Sequence, residues 1–331
     1  MPVMLGAEPF FHEGGSTGVL LCHGFTGNPA SLRPWAAFLA AAGLTVSLPR
    51  LPGHGTTWPE MARTRWEDWY AEVDRAFEEL RGRAGQVFVM GLSLGGCLAL
   101  RLAELRGDEV AGLVLVNPSI AADTKLLALA PVLKYLMPSV KGLGDDIKKE
   151  GVTELAYERV PVRALASLPQ IWRLTQQRLA EVTQPVLVYR STVDHVVGPA
   201  SMRVLRAALP EGQLTVRECA NSYHVATLDH DAEQIFTGSL EFVTTTHIHD
   251  NNGDRDDHLW PFEGNIEWPA LVEKLVLAKY TGSFVFEAPG DKLDKGNEVR
   301  DRLEELWDEA HSSIEEFRLK YKLPQPEIRE E

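Results

Sequence analysis

The chain has few cysteines, no long apolar run and no excess of positive charge, and each shortage excludes a class of protein. Its 331 residues include only three cysteines, an odd number without the spacing of a metal site. A disulfide framework or a zinc module is therefore not expected. No apolar stretch approaches the roughly 20 residues that cross a bilayer. We therefore expect no stable insertion into a membrane.

The first residues and the charge balance indicate where the protein works and what it avoids. The opening MPVMLGAEPFFHEGG lacks the basic start and apolar core of a signal peptide, which with reduced cysteines predicts a cytoplasmic location. There are 33 Lys and Arg against 47 Asp and Glu, a formal net charge of −14. Nucleic acid is a disfavoured partner because its phosphates repel an acidic surface.

Charge and residue usage change near residue 247. The last 85 residues carry 21 acidic and 11 basic side chains, whereas all three cysteines precede them. An acidic, solvated extension is one explanation of this step. The motifs below favour another, in which residues 1–243 form one domain and residues 244–331 a segment of different origin.

The first segment alternates short apolar strands with helical patterns, which is typical of an α/β fold with a mostly parallel sheet and helices on both faces. Strands are predicted at 18–22, 44–48, 86–90, 110–116, 185–189 and 213–218, and helices at 30–42, 67–81 and 94–105. Between 119 and 183 no strand is predicted. That stretch reads as helical, with a strongly apolar piece at 126–137.

The strongest motif is Gly91-Leu92-Ser93-Leu94-Gly95, which fits G-x-S-x-G between a predicted strand and a predicted helix. Glycines beside the serine allow the sharp turn that exposes its hydroxyl at a helix N-terminus, where developing negative charge is favoured. The alternative is a glycine-rich turn with an incidental serine. We interpret Ser93 as a nucleophile.

A serine hydroxyl needs a base and an orienting acid, and in this architecture the chain order is serine, acid, histidine. Asp194 follows one predicted strand and His224 follows the next, both at C-terminal strand ends where such sheets gather their sites. A turn aspartate and a surface histidine are the alternatives. We predict that Asp194 orients His224 and that His224 is the base.

Acyl transfer also needs two amide donors for the oxyanion. The backbone N–H of Leu94 directly follows the nucleophile. The second donor should come from the early loop His23-Gly24-Phe25, in which the Phe25 amide is the best candidate. His54, in a nearby Gly-His-Gly, is interpreted as structural.

The runs LLCHGFTGNPASLRPW, LPGHG, GLSLGG, DHVV and NSYHVATLDHD together resemble the α/β-hydrolase superfamily, and within it the bacterial carboxylesterase and monoacylglycerol lipase group. The resemblance covers about residues 14–243. It implies Ser93, Asp194 and His224 as the triad, Phe25 and Leu94 as oxyanion donors, and residues 119–183 as a helical lid. It implies hydrolysis of a small-molecule ester or lipid, without a cofactor.

The second segment contains a dense group of metal-ligand residue types. HIHDN at 247–251, the Asp256-Asp257-His258 run and the predicted strand FVFEAP resemble the last βα units of xylose-isomerase-like TIM barrels, the sugar isomerase and endonuclease IV group. The resemblance would make His247, Asp256, His258 and Glu287 metal ligands. Because the earlier strands of the barrel are absent, we expect a relic without a functional metal.

Several functions remain open at this point. The main prediction is a serine hydrolase of carboxylic esters, with short to medium acyl esters or monoacylglycerols as substrates. The same triad could serve a thioesterase or an acyltransferase. The C-terminal group could give a metal-dependent sugar isomerase or phosphodiesterase, or the added segment could obstruct the site and leave a binding protein. Self-association through that segment is a further expectation, since a partial barrel leaves sheet edges exposed.

Overall fold

The computed structural model describes residues 2–123, 130–142, 144–210, 212–244, 246–248, 259–277, 284–286 and 293–321. The chain divides into two compact units, Met1–Val243 and Thr244–Glu331. Each unit has its own group of buried apolar side chains.

A seven-stranded sheet organises the first unit. The strands are β1 (Phe10–His12), β2 (Thr17–Cys22), β3 (Thr45–Leu48), β4 (Gln86–Leu92), β5 (Gly112–Val116), β8 (Val186–Ser191) and β9 (Leu214–Cys219), between which β6 (Ser139–Lys141) and β7 (Arg159–Pro161) form a separate pair. Their order across the sheet is β1-β3-β2-β4-β5-β8-β9, and all neighbours are parallel except β1, which runs antiparallel to β3. The α/β prediction is confirmed, and β1 is an addition to it.

Helices cover both faces of this sheet. The described helices of this unit, which include those on the sheet and those of the 119–183 stretch, are α1 (Arg33–Ala41), α2 (Trp58–Met61), α3 (Trp66–Arg81), α4 (Leu94–Arg106), α5 (Ala130–Leu133), α6 (Val162–Leu165), α7 (Leu168–Arg178), α8 (Ala200–Ala208) and α9 (Ala232–Thr244). Leu20 packs in the core with α3 and α4, whereas its neighbours Val19 and Leu21 pack in the opposite core with α1. Alternate residues thus face opposite layers, which explains why the strand is apolar throughout.

The stretch at 119–183 differs from the helical prediction. It holds helices α5, α6 and α7, but β6 and β7 pair antiparallel within it, so it is not wholly helical. Each strand has only three residues, which is too short for a period-two pattern to be recognised. Of the apolar piece predicted as helix at 126–137, residues 130–133 are helical, and residues 126–129 lie outside the described part of the chain.

The second unit contains β10 (Thr246–Ile248), α10 (Trp268–Leu277), β11 (Phe284–Phe286) and α11 (Leu293–Tyr321). The two strands pair in parallel, with Thr246 opposite Phe284. Trp268 and Val272 of α10 pack against Val299 and Leu303 of α11. Throughout both units, none of the described helices is long and apolar enough to span a membrane.

Candidate active site

Ser93 occupies a strained turn between β4 and α4. Its backbone has φ 56° and ψ −117°, an unusual conformation for a residue other than glycine. Two backbone contacts fix the turn: the Ser93 N–H donates to the Val116 carbonyl at 2.9 Å, and the Ser93 carbonyl accepts from Ser119 N at 3.0 Å. The local strain is thus held by the neighbouring strand β5 and the chain that follows it.

The glycines beside Ser93 are required by close backbone approach. A Cβ atom at Gly95 would lie 1.9 Å from the carbonyl oxygen of Cys22, and one at Gly91 would lie 2.3 Å from the backbone of Gly95. The N-terminal turn of α4 therefore sits directly against the end of β2. This contact brings Ser93 next to the loop that follows β2, where a Cβ at Gly24 would lie 3.4 Å from that of Ser93.

The loops after β8 and β9 bring Asp194 and His224 together. His224 Nδ1 lies 3.0 Å from Asp194 Oδ2, and both side chains are buried. The other carboxylate oxygen of Asp194 accepts from the N–H groups of Val196 and Val197 at 2.9 and 2.8 Å. These bonds fix the carboxylate in the orientation that receives the imidazole.

Arg190 of β8 also binds this carboxylate, a partner that the sequence analysis missed. Its Nη1 lies 2.6 Å from the same Asp194 Oδ2 that faces His224. Burial alone would raise the pKa of the Asp194 carboxyl. Hydrogen bonding and charge interaction with His224, the Val197 N–H and the Arg190 charge outweigh it and hold the pKa below its usual value. Asp194 is therefore ionised at neutral pH.

Asn117, at the end of β5, is a second residue that the sequence analysis missed. It is fully buried with φ 44°, and its side-chain amide donates to the His224 carbonyl at 2.8 Å and to Ser191 Oγ at 2.9 Å. Its Oδ1 accepts from Ser191 N at 2.9 Å. Asn117 thus ties the His224 loop to the ends of β5 and β8.

The predicted oxyanion donors lie beside Ser93. In the part of the chain that the structure describes, neither the Phe25 nor the Leu94 amide N–H donates to a protein acceptor. Both residues line one cavity together with Ser93 and His224. Two residues whose backbone N–H groups have no protein acceptor among the described residues therefore line this cavity beside Ser93.

Two buried histidines brace the loop that carries Phe25. His23 Nε2 accepts from the Leu51 N–H at 3.1 Å, and the His54 ring packs edge-on against the rings of His23 and Phe25. Burial lowers the pKa of His54 to about 4, and burial together with the nearby His54 lowers that of His23 well below its usual value. Both rings are therefore neutral, as expected for a structural role of His54.

The cavity at Ser93 has a volume of about 270 Å³ and is largely apolar. Residues of the 119–183 stretch form much of its wall: Val140, Lys141, Glu154, Val160, Leu165, Leu168 and Trp172. Glu154 gives it one acidic group, whose pKa is raised because partial burial disfavours the charged carboxylate. A larger groove of about 660 Å³ beside β1 and α3 shares no lining residue with this cavity. The smaller cavity is the one that contains Ser93 and His224.

The predicted metal ligands of the second unit fall mainly outside the described residues. This applies to Asp256, His258 and Glu287, whereas His247 lies in β10. Among the residues that are described, no three His, Cys, Asp or Glu side chains form a group suited to a metal ion.

Comparison with known proteins finds relatives that are named as lipases and esterases. The family profile described as Serine aminopeptidase, S33, matches residues 16–231. The chain is 42% identical over 246 residues to a thermostable monoacylglycerol lipase from Bacillus sp. (strain H-257), covering 73% of this chain and 96% of that protein. It is 26% identical to a carboxylesterase from Bacillus subtilis (strain 168), covering 71% and 96%.

A solved structure supports the same relationship. The chain resembles a solved structure reported with the metagenome-derived lipolytic enzymes LipS and LipT. The two superpose with a TM-score of 0.71 at 39% sequence identity, and the match covers 73% of this chain and 99% of that chain.

Proposed function

Since this chain belongs to the serine aminopeptidase S33 family and is a carboxylic ester hydrolase, we propose that it cleaves monoacylglycerols and other esters of short to medium acyl chains through an acyl-enzyme on Ser93. One observation carries the proposal: Ser93, on its strained turn, lines the same cavity as His224, whose imidazole is bound by Asp194. A nucleophile, a base and an orienting acid are the groups that acyl transfer needs.

The mechanism assigns each group one role. Ser93 attacks the ester carbonyl while His224 removes the hydroxyl proton and Asp194 holds the imidazole. The Phe25 and Leu94 amides stabilise the oxyanion, and the alcohol leaves with the proton held by His224. Water then attacks the acyl-enzyme by the same route. The free amide N–H groups beside Ser93 support the oxyanion assignment.

The cavity supports an amphiphilic substrate. Its volume of about 270 Å³ is just below the roughly 300–1,000 Å³ usual for small-molecule sites, which suits a short or medium acyl chain. Apolar lid side chains such as Leu165 and Trp172 can bury that chain, and Glu154 can accept hydrogen bonds from glycerol hydroxyls. The relatives named monoacylglycerol lipase and carboxylesterase support the same substrate class.

The alternative reactions are less well supported. A thioesterase or acyltransferase could use the same Ser93, but two relatives covered over 96% of their length are named monoacylglycerol lipase and carboxylesterase. A metal-dependent isomerase or phosphodiesterase would require ligands in the second unit, most of which lie outside the described residues. We therefore retain ester hydrolysis as the proposed function.

We further propose that residues 1–243 form the hydrolase domain with residues 119–183 as its lid, and that residues 244–331 are a fragment similar to the last βα units of a TIM barrel. The parallel pairing of β10 with β11, with α10 between them in the chain, supports a βαβ unit in this fragment. Its ligand-type residues are proposed to be a relic, and its strand edges a place for self-association.

A cytoplasmic location also remains a proposal. Its support is the composition of the chain and the three cysteines, which are all buried as free thiols.

Replacing Glu154 tests the substrate class. We expect Glu154→Gln to lower kcat/KM for 1-monolauroylglycerol about tenfold more than for p-nitrophenyl laurate. The two esters share an acyl chain and differ in the alcohol, and a hydrogen bond to a charged group is worth about 1.5 kcal/mol or more. Glu158→Gln, which alters an exposed carboxylate just before β7, is the matched control. An equal loss on both esters would remove Glu154 from alcohol recognition.

A further inference from the structure

Asp146, a lid residue outside the triad, contacts the loops of both predicted triad partners. Its Oδ2 accepts from the backbone N–H of His224 at 3.2 Å and from that of His195, the residue after Asp194, also at 3.2 Å. Its Oδ1 lies 2.7 Å from His195 Nδ1, and its carbonyl accepts from Val225 N at 3.1 Å. A single carboxylate thus bridges the loop after β8 and the loop after β9.

The segment around Asp146 is bound to the His224 loop at a second point. Asp229 lies five residues after His224. Its carboxylate accepts from the N–H groups of Lys148 and Lys149 at 2.6 and 3.0 Å, and from Tyr223 N at 2.9 Å. These contacts hold residues 148–149 beside the predicted base.

The opposite side of the same segment contacts the cavity wall. Asp145 has φ 58°, and its carboxylate accepts from Thr153 Oγ1 at 2.8 Å and from Glu154 N at 2.7 Å. Two consecutive carboxylates therefore bind in different directions, Asp145 toward the lid residues that hold Glu154 and Asp146 toward the loops of Asp194 and His224. These hydrogen bonds, joined by the peptide bond between Asp145 and Asp146, link the cavity wall to the predicted triad.

We propose that Asp146 is a positioning residue that couples the lid to the triad by holding the His195 and His224 backbones at a fixed separation. The proposal rests on the function proposed above, because it assigns Asp146 to the alignment of His224 and Asp194 with Ser93. Asp146 does not touch the reacting atoms. It fixes the two loops so that the imidazole stays in line, and a displacement of about 1 Å at such a site can cost about 100-fold in rate.

The test compares Asp146→Ala, Asp146→Asn and Glu150→Gln in the full chain, with p-nitrophenyl butyrate as substrate. Glu150 is an exposed carboxylate four residues along the same segment and serves as the matched control. We expect kcat to fall about 10–100-fold in Asp146→Ala with KM unchanged. Asp146→Asn should lie between Asp146→Ala and the parent, because asparagine keeps only one of the two acceptor oxygens. Glu150→Gln should stay within twofold of the parent.

Titration with a fluorophosphonate separates alignment from folding. The fraction of chains labelled should stay complete in both Asp146 variants while the labelling rate falls in parallel with kcat. The proposal is wrong if both variants keep kcat within twofold, if KM rises while kcat is unchanged, or if the labelled fraction falls in proportion to activity. A parent protein that neither hydrolyses the ester nor reacts with the fluorophosphonate would instead contradict the proposed function itself.

Discussion

Replacing Asp194 with asparagine is expected to lower kcat for p-nitrophenyl butyrate by about 10⁴-fold, because a neutral amide no longer holds the imidazole in the reactive tautomer. The surroundings of Asp194 sharpen this expectation. His224 and Arg190 both face Oδ2, and two backbone N–H groups face Oδ1, so an asparagine NH₂ group must oppose a donor in either orientation.

A nearby aspartate provides the control for this variant. Asp123 accepts from Ala200 N and pairs with Arg203, in the chain that follows the Asp194 loop, without contact to His224. Asp123→Asn should therefore keep kcat within about twofold. A loss below tenfold in Asp194→Asn, at an unchanged melting temperature, would contradict the orienting role of Asp194.

A second large effect is expected from Gly95→Ala, which should abolish most of the activity and destabilise the protein. Its Cβ would lie 1.9 Å from the Cys22 carbonyl oxygen, so the N-terminal turn of α4 and the end of β2 must separate. Overpacking of a close contact costs about 1–3 kcal/mol. The separation also moves Leu94 away from the loop of Phe25, and we expect kcat to fall at least about 100-fold.

Gly82→Ala is the matched substitution for this prediction. Gly82 ends α3 with φ −65°, and the nearest atom to an added Cβ lies at 3.5 Å. Alanine there should be neutral or stabilise by about 0.4–1 kcal/mol by restricting the unfolded chain. The melting temperature and kcat are measured for both variants. The account would be contradicted if Gly95→Ala kept the melting temperature and kcat that Gly82→Ala shows.

Local patterns predicted six of the seven strands of the sheet and indicated the residues of the candidate triad. The glycines on either side of Ser93 predict its sharp turn. Asp194 and His224 each follow a strand that is recognisable because it has five or more apolar or alternating residues. Chain order then restricts the choice of acid and base. The short β1 and the pair β6 and β7 were missed because three residues cannot display a strand period.

The residues that support the candidate triad could not be predicted because their partners are distant in sequence. Asn117 forms a hydrogen bond with His224 although the two are 107 residues apart in the sequence. Asp146 binds the same histidine from 78 residues away. Arg190 is only four residues from Asp194, but nothing in its spacing distinguishes it from a surface arginine. Such contacts follow from how the loops meet above the sheet, and a single sequence contains no local signal for them.

Hydrolysis of p-nitrophenyl esters of increasing acyl length, by the full chain and by Ser93→Ala, with and without a metal chelator, tests the central claim most directly. The account predicts activity that the chelator leaves intact and that Ser93→Ala lowers by about 10⁶-fold in kcat, with an optimum at short to medium acyl length. Activity that survives in folded Ser93→Ala, or that the chelator removes, would contradict a serine hydrolase and would place the chemistry elsewhere in the chain.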